Sequence, residues 1–111
     1  MKIIHLMDGE SVSSGANQGD TFHINMAKEA RGIVQYQVTA SGSFSGTFTL
    51  VGRLSDAFAW KTIYGSSKSL STSGGGGTTG AAAEDLSLFP EIRGAVQVTS
   101  GTSTVEIRLG A

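Results

Sequence analysis

A chain of 111 residues has the length of one domain, and 39% hydrophobic residues suffice for a core, while only 15% are charged and the net charge is −1. This balance excludes global disorder and argues against a nucleic-acid partner, since neutralising phosphates requires a basic patch. Cysteine is absent, so no disulfide supports the fold, and no run approaches the roughly 20 apolar residues of a membrane span.

Met1 to Met7 is apolar for too few residues to be the hydrophobic part of a signal peptide, and Asp8 ends it. Synthesis in the cytoplasm, without secretion by this segment, is the expectation. Lys2 to Met7 suits a first strand or extended arm that is apolar on both faces. Ser11 to Asp20 is polar and Gly-containing, hence loop, with room for a short strand at Ser11 to Ser13. Thr21 to Met26 alternates, with Phe22, Ile24 and Met26 inward. Ala27 to Ala30 is helix-compatible but too short to stand alone.

The centre carries the clearest signal. Val34, Tyr36 and Val38 share one face, and Phe44, Phe48 and Leu50 continue it beyond a Ser/Gly turn at Ala40 to Ser43. A period of two is the strand period, and two such runs around a short turn predict an antiparallel hairpin. The opposite face, with Gln35, Gln37, Thr39, Ser45, Thr47 and Thr49, is polar and uncharged. In Asp56 to Tyr64, the residues Phe58, Trp60 and Tyr64 share a face, and Trp60 is expected in the core beside Phe58. Gly65 to Glu84, with Gly74 to Gly77, has little to bury and predicts a long flexible loop over residues 65–85, with a short strand at Ser67 to Ser71. Leu86 to Phe89 is short and apolar and ends at Pro90. A second hairpin is predicted from Glu91 to Thr99 and Ser103 to Leu109, with Val96, Val98, Val105, Ile107 and Leu109 inward.

The two predicted hairpins share wording: Arg31-Gly-Ile-Val-Gln leads to Thr39-Ala-Ser-Gly42, and Arg93-Gly-Ala-Val-Gln leads to Thr99-Ser-Gly101. They read as matching units, compatible with placement in opposed sheets. Six to eight short strands with almost no helix predict one all-β antiparallel sandwich, jelly-roll-like, over residues 1–111, with residues 1–20 as an N-terminal arm and loop.

Chemistry is sparse. His23 lies on the polar face of its strand near Asp20, a spacing compatible with a Ser-His-Asp arrangement, but it and His5 read as surface imidazoles. Asp8-Gly9-Glu10 reads as a turn and Glu84-Asp85 as a solvated loop end, rather than as a glycosidase pair or calcium site. No Cys/His cluster suits zinc, and Gly74 to Gly77 lacks the Lys-Ser/Thr of a phosphate loop. The expectation is therefore a protein that is not an enzyme, with no catalytic residue, cofactor or metal. Arg53, Lys61, Arg93 and Arg108 read as scattered solubilising or interface charges.

The run Ser43-Phe-Ser-Gly-Thr-Phe-Thr-Leu-Val-Gly-Arg-Leu-Ser-Asp56, with Trp60 four residues on, resembles a phrase of small structural proteins of tailed phages, F-S-G-T-x-T-L-x-G-x-x-x-D followed by Trp. Phe89-Pro-Glu-Ile-Arg93 through Val105-Glu-Ile107 is similar to another such phrase. The likeness covers roughly residues 31 to 64 and 88 to 109. Size and composition also suit capsid decoration (cement or staple) proteins of short-tailed phages. What the resemblance implies is a virion component on the outer capsid surface, made in the host cytoplasm. Its partners would be the major capsid protein and its own copies, as a dimer or trimer, with no nucleic acid and no membrane. The alternatives are another virion part (tail, connector or fibre domain) or a carbohydrate-binding module, with the burial of Trp60 as the discriminating observation. Ile3, Ile4, Leu6 and Met7 are the expected subunit contacts, because successive side chains on one strand alternate sides and cannot all enter one core.

Overall fold

The computed structural model describes residues 2–40, 42–72 and 77–111, and over 77–85 only the path of the backbone. Among the described residues ten strands, all antiparallel, account for the architecture: β1 (Ile3–Val12), β2 (Gly15–Gln18), β3 (Phe22–His23), β4 (Arg31–Ala40), β5 (Phe44–Arg53), β6 (Lys61–Thr62), β7 (Lys68–Thr72), β8 (Gly77–Ser87), β9 (Glu91–Ser100) and β10 (Ser103–Gly110). One sheet has the order β1-β10-β4-β8. The other has the order β2-β9-β5-β6, with β3 also on β9 and β7 also on β5. The fold is an all-β sandwich, as its alternation requires.

The alternation of burial along β4 is complete: Val34, Tyr36, Val38 and Ala40 are buried between exposed neighbours. Phe44, Phe48 and Leu50 on β5 meet them from the other sheet, and the rings of Tyr36 and Phe48 lie 5.8 Å apart at a tilt of 42°. Ile92, Val96 and Val98 of β9 and Val105, Ile107 and Leu109 of β10 complete this layer.

Neither predicted hairpin exists. β4 ends in one sheet and β5 begins in the other, and β9 and β10 are divided in the same way. The pairs that share hydrogen bonds are β4 with β10 (Tyr36 opposite Ile107) and β5 with β9 (Phe48 opposite Val96). Both turns are therefore arches that carry the chain across the core. Three steps from Ser100 to Ser103 reach about 10 Å, which is the usual spacing of packed sheets. Alternation states which side chains face inward, and it is the same whether the next strand lies beside its predecessor or opposite it. The arches press on each other: Gly101 has φ +79°, and a Cβ there would run into the carbonyl oxygen of Ser43. The repeated wording maps to β4 and β9, inner strands of opposed sheets, each followed by an arch to the other sheet.

The N-terminal arm is corrected to a paired strand. β1 runs alongside β10 from Ile3 opposite Gly110 to Val12 opposite Ser103, and the backbones of Lys2 and Ala111 bond to each other in both directions. Register shifts between His5 and Met7 and between Met7 and Glu10 break strict alternation. Ile4, Leu6 and Met7 are consequently all buried in the core, and only Ile3 points out, at 52% exposure. A bulge lets neighbouring residues face the same side, which the alternation argument had excluded.

Three further expectations fail. Residues 65–85 are not one long loop: β7 agrees with the short strand expected at Ser67 to Ser71 and pairs with β5, burying Leu70, and β8 pairs with β4, burying Leu86. Gly74 to Gly76 lie outside the described residues, and Gly77 opens β8. Met26 is exposed, because β3 ends at His23 and Asn25 starts a single turn by bonding the amides of Ala27, Lys28 and Glu29. Asp56 to Tyr64 is not a strand with an inward aromatic face: only Lys61–Thr62 pairs, and the buried residue is Ile63.

Candidate functional site

The outer face of the β9–β5 sheet carries the most concentrated set of interacting side chains. Arg53 lies opposite Glu91 across the ladder, and Arg93 opposite Val51, so both arginines stand on that face at the end remote from the arches. Arg53 Nε donates to Glu91 Oε1 at 3.0 Å, and its Nη2 lies 2.9 Å from the same oxygen. Arg93 has no such partner among the described residues, and its Nε is buried without a hydrogen bond. Partial burial, and next the positive charge of Arg53, hold the Arg93 guanidinium below the ordinary arginine pKa.

Trp60 arrives on this pair by an excursion after β5. The amide of Ala57 donates to Ser55 Oγ and that of Phe58 to the Ser55 carbonyl, which turns the chain back. β6 then pairs Lys61 and Thr62 with Gly52 and Val51, and the Ile63 amide bonds to the Leu50 carbonyl. Fully buried Ser66 anchors the return, its Oγ accepting from the Leu50 amide and donating to the Leu50 carbonyl. So held, the Trp60 ring has Arg53 Cζ at 4.2 Å and Arg93 Cζ at 4.4 Å from its centroid. Such cation–π contacts are worth about 0.5–1 kcal/mol each when exposed. Trp60 is thus half-buried on an outer face, neither in the core nor a free platform. The same excursion exposes Leu54 at 59%, Phe58 at 55% and Tyr64 at 97%.

The residues expected to make contacts are divided. Ile4, Leu6 and Met7 belong to the core, while Ile3 stands on the outer face of the other sheet, where it and Ile33 flank Gly110 above Gln35 and Arg108. The histidines are apart: His5 Nδ1 lies 3.8 Å from Asp8 Oδ1, and His23 sits opposite Glu91 at the end of β3. Neither imidazole makes a hydrogen bond to a hydroxyl among the described residues. A cup at the arch end, lined by Ser11, Ser13, Thr102, Ser103 and Thr104, holds hydroxyls but no carboxylate or imidazole. No group of three or more His, Asp or Glu among the described residues could hold a metal ion, and no helix there is long and apolar enough to cross a membrane.

Sequence reasoning missed the pairing of Arg53 with Arg93. Its one available sign was parity, since each arginine occupies the outward phase of its strand; that β5 and β9 are neighbours was not readable. The chain matches no family model, no curated protein and no solved structure.

Proposed function

We propose that this sandwich is a non-enzymatic docking module, and that it sits on the outer surface of a tailed-phage capsid, bracing neighbouring copies of the major capsid protein. The observation that carries the docking reading is the excursion of residues 54–64, which presents Leu54, Phe58 and Tyr64 to solvent and carries Trp60 onto Arg53 and Arg93. Exposed aromatics with arginine are the composition of interface hot spots. Its virion setting is supported by the phage-like wording of Ser43 to Asp56 and Phe89 to Arg93. Attachment through Ile4, Leu6 and Met7 is not part of this proposal, because these side chains are in the core.

The test is occupancy on purified undecorated capsids, scored by electron microscopy. The wild-type protein is expected to decorate them. The double variant Phe58→Ser, Tyr64→Ser is expected to stay folded and lose most of its occupancy. A variant that decorates as fully as wild type would remove the excursion from the interface, and a wild-type protein that never binds would remove the capsid.

A further inference from the structure

Arg93 has no ion-pair partner among the described residues, and its Nε is buried without a hydrogen bond. Two guanidiniums share the Trp60 ring, yet the single carboxylate beside them, Glu91, is engaged at both of its short contacts by Arg53. Among the described residues no acidic side chain other than Glu91 is bonded to this pair. In a chain whose net charge is −1, this is a local surplus rather than general basicity. Like charges held side by side repel, and the ring's π-face offsets only part of that cost. The Arg93 Nε is itself buried without a hydrogen bond, so an anion that pairs with it would satisfy a donor that has no protein partner.

We propose that the Arg93 guanidinium, stacked beside Arg53 on Trp60, is the seat for a single carboxylate presented by a partner protein's acidic side chain. The proposal rests on the docking reading above and names the chemistry that the docked surface must bring. A carboxylate fits the observations better than a polyanion: the seat offers one guanidinium with an unpaired Nε, stacked on an aromatic ring, not the basic stripe that a nucleic-acid backbone needs. Arg93 then pairs with the incoming group as Arg53 pairs with Glu91, and Trp60 keeps both guanidiniums oriented before binding.

Trp60 is the sole tryptophan, so tryptophan emission excited to the red of tyrosine absorption reports this seat. The probe is a blocked tripeptide with one glutamate between two leucines, titrated at constant ionic strength against the same peptide with glutamine, against sodium chloride and against inorganic phosphate. A saturable shift of Trp60 emission with the glutamate peptide is expected, at least tenfold weaker with the glutamine peptide or chloride. Arg93→Gln, on an outer face, should fold and bind the glutamate peptide at least tenfold more weakly; Arg93→Lys, which keeps the charge but loses the planar fork, should fall between. An absent response, an equal response in Arg93→Gln, or phosphate binding more tightly than the glutamate peptide would each overturn the proposal. On capsids, Arg93→Gln retaining full occupancy while the Phe58/Tyr64 variant loses it would overturn the seat and leave docking intact. Peptide binding without any capsid binding would do the reverse.

Discussion

The four inner strands β4, β5, β9 and β10 and the excursion from Leu54 to Tyr64 are both rich in apolar residues, yet they treat them in opposite ways. In the strands, the inward apolar residues are buried: Phe48 is 0% exposed and Val34, Val38, Leu50 and Ile107 are likewise closed off. In the excursion, Leu54, Phe58 and Tyr64 face solvent, and only Ile63 enters the core. Ladder pairing makes the difference. A strand bonded on both sides cannot rotate one side chain independently of the next, so a ten-residue run commits every second residue to the interior. Between Arg53 and Lys61 no ladder constrains the chain, and its aromatics are left where a partner can reach them.

Substitutions can break this contrast. The largest effect is expected from Phe48→Ala, which should lower stability by about 3–5 kcal/mol in urea unfolding, through lost burial and the cavity left against Tyr36. A loss below about 1 kcal/mol would mean that the strand interior is not the cooperative unit. Gly101→Ala comes next. The left-handed φ of +79° alone should cost about 1–2 kcal/mol, and the contact with Ser43 adds to it by forcing the two arches apart. A cost near zero would show that the arches do not press on each other. Trp60→Ala should cost least, about 1–2 kcal/mol for two exposed cation–π contacts, instead of the core value that its spacing from Phe58 had implied. A loss equal to that of Phe48→Ala would place the ring in the core after all and sharpen the comparison against the excursion.

Deleting residues 1–7 belongs to the same comparison. An arm could be removed from a folded protein, but a strand that carries Ile4, Leu6 and Met7 into the core and pairs with β10 cannot. The structure therefore implies loss of folding for that truncation, where the sequence pattern had implied loss of attachment alone.

How far the chain could be read without its structure follows from which physical rule acts locally. Alternation is local, so the inward residues of β4, β5, β9 and β10, including Tyr36, Phe48 and Val105, were correctly placed from spacing, and with them the all-β sandwich. Strand partners are not local. Whether Ala40 to Ser43 closes a hairpin or crosses the core depends on which strand offers its hydrogen bonds to β4, and that strand, β10, lies some seventy residues away, Ile107 opposite Tyr36. The bulge that turns Leu6 and Met7 to the same side is set by the register with β10, and the seat at Arg93 by the adjacency of β5 and β9 under Trp60. The sequence by itself determined which side chains of the long strands seek the interior, because a period of two is written residue by residue. Only the tertiary structure decided which strands neighbour one another, and so where the surplus positive charge and the exposed aromatics come together, because hydrogen-bond pairing between distant segments leaves no mark on the spacing within either one.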